Sequence, residues 1–302
     1  MPSTSSRQTR NGVIATAGAF FIWGTLPLYM KPLTHVPAMQ IAAWRYLMGC
    51  IFVFAWVSLR GELAQVRHAF ATPYLRRRLT LTASLLAMNW TLYAWGVSNG
   101  QVLNTSLGYF INPLVNILLG VLILSERLNP LQWLAVALAA SGVLALTIHA
   151  SQFPWIALVL AVSFSSYGLL RKTTDVAPLP GLAVETLLVG PFALAYMSWQ
   201  QMQLGNVLDH AFWPMLLLVL SGVITVVPLA LFNYGARHIS YATVGMLQYI
   251  GPTLQFLTGV FIYKEALTPA RLMCYSLIWL ALLIYAGDSW WRMRSPQPPG
   301  TG

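Results

Sequence analysis

Charged residues are scarce in this chain, and acidic residues are the scarcest of them. Only 8% of the 302 residues are charged, with 7 Asp and Glu against 17 Lys and Arg. A soluble domain carries about 25% charged residues, because its surface faces water. The chain therefore lacks the surface of a soluble protein, and its hydrophobic content of 57% predicts that most of it lies in lipid.

Several catalytic signatures are also absent. The sequence contains no G-x-x-x-x-G-K-[ST] phosphate loop, no H-E-x-x-H zinc motif and no G-x-S-x-G nucleophile elbow. His149 and His238 stand at predicted helix ends without a serine or carboxylate at a recognisable spacing. Cys50 and Cys274 lie in apolar segments, where cysteine packs as a small hydrophobe. We expect no enzyme activity, no ATP requirement, and neither a cofactor nor a metal.

Apolar segments dominate what is present. Each is long enough to cross a bilayer core of about 30 Å, and none alternates as a barrel strand does, so each should form a helix. The ten segments span residues 12–30, 37–59, 79–98, 102–124, 130–149, 153–171, 179–199, 212–236, 240–263 and 269–288. Asn129-Pro130 and Thr268-Pro269 are typical helix starts. The tail 295–302 is rich in proline and glycine and is expected to be disordered.

The basic residues lie between the apolar segments and so report topology rather than nucleic-acid binding. Lys and Arg are retained in cytoplasmic loops of membrane proteins. With the N-terminus inside, 13 of the 17 fall on the cytoplasmic side, Arg171 among them, and 3 on the other, with Arg45 inside a helix. We expect a multi-pass protein of a bacterial inner membrane with both termini in the cytoplasm.

An internal repeat organises the chain. Residues 108–130 (GYFINPLVNILLGVLILSERLNP) align without gaps on residues 247–269 (LQYIGPTLQFLTGVFIYKEALTP), with nine of 23 positions identical. The repeat predicts two units, 1–150 and 151–302. Because each holds five helices, the second must insert upside down, an arrangement typical of secondary transporters. The predicted fold is therefore an all-α integral membrane protein of ten transmembrane helices in two inverted five-helix repeats.

Two charges lie near the centre of predicted spans, where charge is costly and often functional. Arg45 is in the second helix and Glu185 is in the seventh, at nearly equivalent depth in the two halves. They could bind opposite ends of a substrate, with Glu185 able to exchange a proton. They could instead form a structural ion pair with each other, or extend towards the membrane surface.

Polar and aromatic residues inside the apolar segments are the other cavity candidates. Amides and small residues recur at helical spacing in the fourth and ninth helices, where they line a cavity or join helices. The candidate substrate-binding residues are Arg45, Glu185, Trp23, Asn89, Trp90, Tyr93, Tyr109, Asn112, Asn116, Tyr167, Gln248 and Gln255. Any of the aromatic residues could equally serve core packing. Pro113 and Pro252 predict kinks, either static or acting as hinges.

Glu126 and Glu265 occupy equivalent positions after the fourth and ninth helices. Each carboxylate would be stabilised by the N-terminal dipole of the helix that follows it. A gate contact at one membrane face is the alternative.

These segments resemble the EamA-like family of the drug/metabolite transporter superfamily, and within it the RarD branch. The resemblance rests on FIWGTLPLYMK (21–31), Asn89-Trp90, SLGYFINPLVNILLG (106–120), SSYGLLRK (165–172), ETLLVGP (185–191), ITVVPL (224–229) and LQYIGPTLQF (247–256). It implies a central cavity lined by helices 1–4 and 6–9, with helices 5 and 10 peripheral. Three positions depart from the branch: Gln40 replaces an acidic residue, Trp44 replaces a histidine, and Lys264 replaces a glycine.

The leading hypothesis is a secondary-active exporter of a small organic metabolite or drug-like compound, amino-acid-like or aromatic, working by alternating access. A passive channel is the alternative, and saturable flux would separate the two. The expected partners are the small-molecule substrate, the lipid bilayer and, as an open question, protons. The chain is expected to be a monomer or homodimer.

Overall fold

A computed structural model describes residues 4–148, 153–205, 211–262, 264 and 269–294. Expectations on the tail 295–302, Glu265, Thr268 and His149 lie outside these residues. All regular elements in the described part of the chain are helices, and it contains no β-strand. This agrees with the all-α prediction.

The helices are long and follow one another through short connections. They are α1 (Thr4–Gly24), α2 (Leu26–Met30), α3 (Ala38–Leu59), α4 (Leu63–Ala71), α5 (Pro73–Ser98), α6 (Val102–Leu122), α7 (Pro130–Ile148), α8 (Trp155–Thr173), α9 (Pro178–Leu204), α10 (Phe212–His238), α11 (Tyr241–Gln248), α12 (Ile250–Leu257) and α13 (Pro269–Arg294). A 3₁₀ turn, Lys31–Leu33, follows α2, and a π-helical turn, Thr258–Ile262, follows α12.

Seven helical segments of the described chain are long and apolar enough to cross a membrane. They are Arg7–Leu33, Ala38–Leu59, Thr105–Leu122, Pro130–Ile148, Pro178–Gln203, Phe212–His238 and Leu272–Trp291. The other three predicted spans correspond to α5, α8 and the broken pair α11–α12. Arginines at the start of α5, and Arg171 and Lys172 at the end of α8, lower the hydropathy of those two helices.

Two of the predicted spans are interrupted near a proline. The first breaks at Thr25, two residues before Pro27, and the ninth breaks at Tyr249, three residues before Pro252. Proline lacks the N–H that would continue the helical ladder, so the chain bends or changes its hydrogen-bond pattern there. The fourth span, α6, runs through Pro113 as one helix. The two equivalent prolines therefore have different local effects.

The start of α7 confirms one sequence prediction in atomic detail. Asn129 Oδ1 accepts from the backbone N–H of Gln132 at 3.0 Å, and Gln132 Oε1 accepts from the N–H of Asn129 at 3.2 Å. This reciprocal arrangement is a capping box, and it satisfies two donors that a helix start leaves free.

The buried apolar residues form two clusters. The larger joins α1, α3, α4, α5, α8, α9, α10 and part of α11, and the smaller joins α6, α7, α13 and the rest of α11. Helices α7 and α13 pack mainly against each other, at the side of the larger bundle. Both cysteines are free thiols, and Cys274 is buried in the smaller cluster, as expected of a small hydrophobe.

Close helix contacts explain one of the glycines in the spans. At Gly222 in α10, an added Cβ would collide with the Met48 carbonyl of α3. Without a side chain at this position the two backbones can approach closely, as small residues allow in membrane helix bundles. The contact holds α10 against α3, directly beside Arg45.

Candidate functional site

A chamber lies inside the bundle, between helices of both halves of the chain. Its volume is about 90 Å³. The lining residues are Phe20, Trp23, Leu26, Arg45, Asn89, Trp90, Tyr93, Thr105, Gly108, Tyr109, Asn112, Leu160, Phe164, Gln248, Gly251, Pro252 and Gln255. Nine of the twelve candidate residues from the sequence are among them.

A wider vestibule of about 580 Å³ adjoins the chamber. It shares with the chamber the residues Leu26, Arg45, Trp90, Tyr93, Tyr109 and Gln255. From there it extends past Met30 and Thr34 to the turn that links α2 to α3, where Lys31 is exposed. The chamber therefore communicates with one end of the molecule.

Arg45 lies where the chamber and the vestibule meet. Its Nε donates to Thr225 Oγ1 at 3.1 Å, and its guanidinium carbon stands 4.3 Å from the centre of the Trp90 ring. Stacking on an indole face stabilises a cation and fixes its orientation. Arg45 forms no ion pair with any acidic residue in the described ranges. Its two terminal nitrogens therefore remain available to a molecule in the chamber.

Glu185 has a different partner from the one that the ion-pair alternative assigned to it. Its Oε1 lies 3.5 Å from Nε of Arg171, and the side chains are 2% and 1% exposed. Thr82 Oγ1 donates to the same oxygen at 2.5 Å, and the Tyr167 hydroxyl donates to Oε2 at 3.4 Å. The proposed Arg45–Glu185 pair is therefore absent, and Glu185 is held outside the chamber lining.

The position of Arg171 differs from its sequence-based prediction. Its place beside Lys172 at the end of an apolar segment predicts a cytoplasmic loop. The structure instead buries it, with Nη2 donating to the Pro178 carbonyl at 3.2 Å. Space for the guanidinium comes from Gly181, where an added Cβ would collide with it. An arginine near a span end does not reveal from sequence whether it faces water or a neighbouring helix.

Two further candidate residues also lie outside the chamber. Asn116 is fully buried and donates from Nδ2 to Gln248 Oε1 at 2.6 Å. Tyr167 is fully buried, stacks on Phe232, and accepts from Asn233 Nδ2 at 2.9 Å. Both serve contacts between helices, which was the alternative interpretation of such residues.

Apolar lining residues were missed for another reason. Phe20, Leu160 and Phe164 face the chamber, but in the sequence they are indistinguishable from core residues. The rings of Phe20 and Phe164 join Trp23 in an aromatic wall, with centroid distances of 5.5 Å from Trp23 to Phe20 and 5.6 Å from Trp23 to Phe164. The polar candidates could be found only because polarity is unusual inside an apolar segment.

Hydrogen bonds between helices close the end of the bundle opposite the vestibule. Glu126, just after α6, accepts the backbone N–H groups of Tyr241 and Ala242 at 2.5 and 2.8 Å, at the start of α11. Lys172 donates to the carbonyls of Ala236 and Ile239 at 2.7 and 2.6 Å. The prediction for Glu126 is thus corrected, because its carboxylate caps α11 of the other half rather than the helix that follows it.

Taken together, apolar spans, an interior chamber lined by aromatic and polar side chains, and a vestibule define the class of a multi-pass membrane protein with a small-molecule cavity. The EamA-like transporter family matches this chain twice, over residues 10–148 and 154–287. The chain belongs to the EamA-like transporter family.

Two relatives agree with this assignment, and one solved structure has a similar fold. An uncharacterized transporter of Pseudomonas aeruginosa is 43% identical over 300 residues, covering 96% of this chain and 98% of that one. Protein RarD of Salmonella typhi is 41% identical over 290 residues, covering 96% and 99%. A crystal structure at 19% identity superimposes with a TM-score of 0.70, covering 90% of this chain and 96% of the other. The last likeness shows the fold alone.

Proposed function

We propose that this protein is a secondary-active transporter that carries a small organic compound through the chamber by alternating access, in the direction of export. Two observations together carry the proposal. A chamber lined by aromatic and polar side chains communicates with one end of the bundle. At the other end, hydrogen bonds between helices keep the bundle closed. A carrier needs such a state and its counterpart, in which the other end is open.

The inverted repeat is part of the proposal, with ten spans in all. Helix packing supports it, because equivalent helices of the two halves make equivalent contacts. The contact between α1 and α10 corresponds to the contact between α8 and α5. The contact between α6 and α8 corresponds in the same way to the contact between α12 and α1. The two family matches, one in each half, support the same arrangement. Two halves that can exchange conformations supply the two states of a carrier.

The distribution of basic residues supports a cytoplasmic location for the closed end. Arg78 at the start of α5 donates to Thr173 at the end of α8, and Lys172 lies beside them. This end therefore gathers the basic residues that favour the cytoplasm. In that orientation the vestibule faces outward, as the outward-facing state of the proposed carrier requires.

Counterflow in proteoliposomes tests the proposal. Vesicles loaded with an unlabelled candidate compound are mixed with a trace of the labelled one, using a panel of aromatic acids, amides, amines and amino acids. A carrier exchanges the two and accumulates label transiently, with saturable kinetics. Imposing a pH gradient on the same vesicles measures proton coupling.

The outcomes separate the candidate functions. Transient accumulation with any member of the panel supports the carrier. Flux that rises linearly with concentration and shows no counterflow would support the channel instead. Absence of flux for the whole panel, with protein shown to be folded, would contradict the proposal.

A further inference from the structure

The charges buried in the bundle do not balance. Arg171 and Glu185 are the fully buried charged side chains of the described structure, Arg45 lines the chamber, and the three sum to one positive charge. Glu185 lies 3.5 Å from Arg171. Glu185 and Arg45 both line a narrow cavity of about 10 Å³ but form no ion pair with each other. The positive charge at Arg45 therefore lacks a protein anion in contact with it. Isolated charge in a low-dielectric interior is costly, so a site of this kind favours an anionic guest.

Two of the amides that line the chamber, Asn112 and Gln248, present donors rather than acceptors. Asn89 is the exception, because its Nδ2 donates to the Leu160 carbonyl and to Ser163 Oγ, both at 2.8 Å. Asn116 Nδ2 donates to the side-chain oxygen of Gln248, and Ser165 Oγ donates to that of Asn112 at 2.7 Å. Both oxygens are thus occupied within the protein, while Nδ2 of Asn112 and Nε2 of Gln248 have no bond to other described residues. Amide nitrogens and a guanidinium together are complementary to a ligand rich in acceptor oxygens.

The remaining wall is aromatic. Trp23, Phe20 and Phe164 form one side, and Tyr93 and Tyr109 form another, with ring centroids 5.9 Å apart. Such rings accept flat apolar groups by edge or face contact. No acidic residue lines either the chamber or the vestibule among the residues described, and the vestibule adds Lys31 at its mouth. A cationic guest would meet no opposite charge along this path.

Resting on the proposed function, we propose that the transported compound is an aromatic carboxylate, whose carboxyl group binds the terminal nitrogens of Arg45 and whose ring lies against the aromatic wall. A single guanidinium matches a planar monoanion through two parallel hydrogen bonds. A phosphate dianion would need further cations in the chamber, and Arg45 is the one charged residue in its described lining. The carboxylate is therefore the better match.

Binding measurements with compounds that differ only in charge test the inference. The probes are 3-phenylpropanoate, 3-phenylpropanamide and 3-phenylpropylamine, and the same three groups on an indole ring. Kd is measured for the purified protein by isothermal titration calorimetry, because the indole probes fluoresce as tryptophan does. We expect at least one carboxylate to bind about tenfold or more tightly than its own amide, since hydrogen bonds between charged groups are the stronger ones. The amine should bind more weakly still.

Variants at position 45 test whether Arg45 causes the preference for the carboxylate. Arg45→Met should remove the advantage of the carboxylate over the amide, while Arg45→Lys should retain part of it. Arg60→Met is the matched control, because Arg60 is exposed and pairs with Glu62 at the surface. It should leave the preference unchanged. The comparison within the unaltered protein remains decisive even where an Arg45 variant does not fold.

Equal or tighter binding of the amide or amine would overturn the inference, and so would binding of neither carboxylate. An unchanged preference in folded Arg45→Met would overturn the role of Arg45. Counterflow with an amine or a neutral compound would leave the transport proposal standing while this inference fails. Absence of counterflow for the whole panel is a separate result, and it would contradict both the transport proposal and this inference.

Discussion

Arg171 and Glu185 are buried against each other, whereas Arg45 lines the chamber without an acidic partner among the described residues. Arg45 and Glu185 were identified because ionisable groups are rare in apolar segments. Their partners were not, because the neighbour of a side chain depends on helix rotation and on pairing between distant segments. Arg171 is 14 residues from Glu185 in sequence and on a different helix. Local pattern alone could not distinguish it from a loop arginine.

The Arg171–Glu185 pair leads to a stability prediction. Glu185→Gln leaves the buried guanidinium without its counter-charge and should lower the free energy of unfolding by about 3–5 kcal/mol. The double variant Arg171→Met with Glu185→Gln should recover most of that loss, since an uncharged replacement of both partners removes the unpaired charge. Thermal unfolding of the purified protein measures both.

Breaking an exposed pair is the control for this experiment. Glu62→Gln disrupts the Arg60–Glu62 contact at the surface and should change stability by less than about 1 kcal/mol. If Glu185→Gln proved as mild as this control, the buried pair would not have the structural role assigned to it.

Backbone conformation at the repeat gives a second residue-scale prediction. Ser125 and Lys264 are the non-glycine residues with positive φ in the described chain, at 54° and 58°, and they are separated by the same 139 residues as the two repeats. Left-handed backbone costs an ordinary residue about 1 kcal/mol relative to glycine. Ser125→Gly should therefore raise the unfolding temperature slightly. Ser141→Gly, inside α7, should lower it.

Among the elements, regular helices were predictable and their interruptions were not. Apolar length located the helices, and Asn129-Pro130 located the start of α7. The two equivalent prolines were expected to act alike, yet α6 is continuous while the ninth span breaks at Tyr249. The two prolines also have different neighbours. For example, Gly245 of α11 approaches the Pro113 carbonyl so closely that an added Cβ would lie 2.6 Å from it.

The contact between Glu126 and α11 leads to a prediction about access. Glu126→Gln weakens two hydrogen bonds from the α11 start to a charged group, each a strong class of bond. The closed end should then open more often. A cysteine at position 255, in a background without Cys50 and Cys274, should react about tenfold faster with an impermeant thiol reagent applied from that end.

Asp175→Asn is the matched control, because Asp175 is a fully exposed carboxylate that pairs with Arg237 at the same end of the molecule. It should leave the reaction rate unchanged. An equal increase in both variants would indicate a general effect of surface charge, and no increase in Glu126→Gln would argue against a closing role for this residue.

For the whole molecule, orientation is the prediction that sequence supports most directly. Cysteines at Gln65 and Asp175 should be labelled from the cytoplasm, and cysteines at Thr34 and Gln203 from the opposite side. Single-cysteine labelling of intact cells and of inverted vesicles measures this. Labelling of all four from one side would contradict the predicted topology.

The composition of the chain placed it in a membrane, whereas the chamber could be recognised only after helices from both halves had been brought together.

The most direct test of the account is access to the chamber from both sides of the membrane. A cysteine at Gln255, which lines both chamber and vestibule, is exposed to an impermeant thiol reagent in right-side-out and in inverted vesicles. Alternating access predicts labelling in both preparations, with the vestibule side faster and each rate reduced by a bound substrate. Labelling from the vestibule side alone, even when Glu126 is replaced by glutamine, would contradict a transporter that opens to each side in turn.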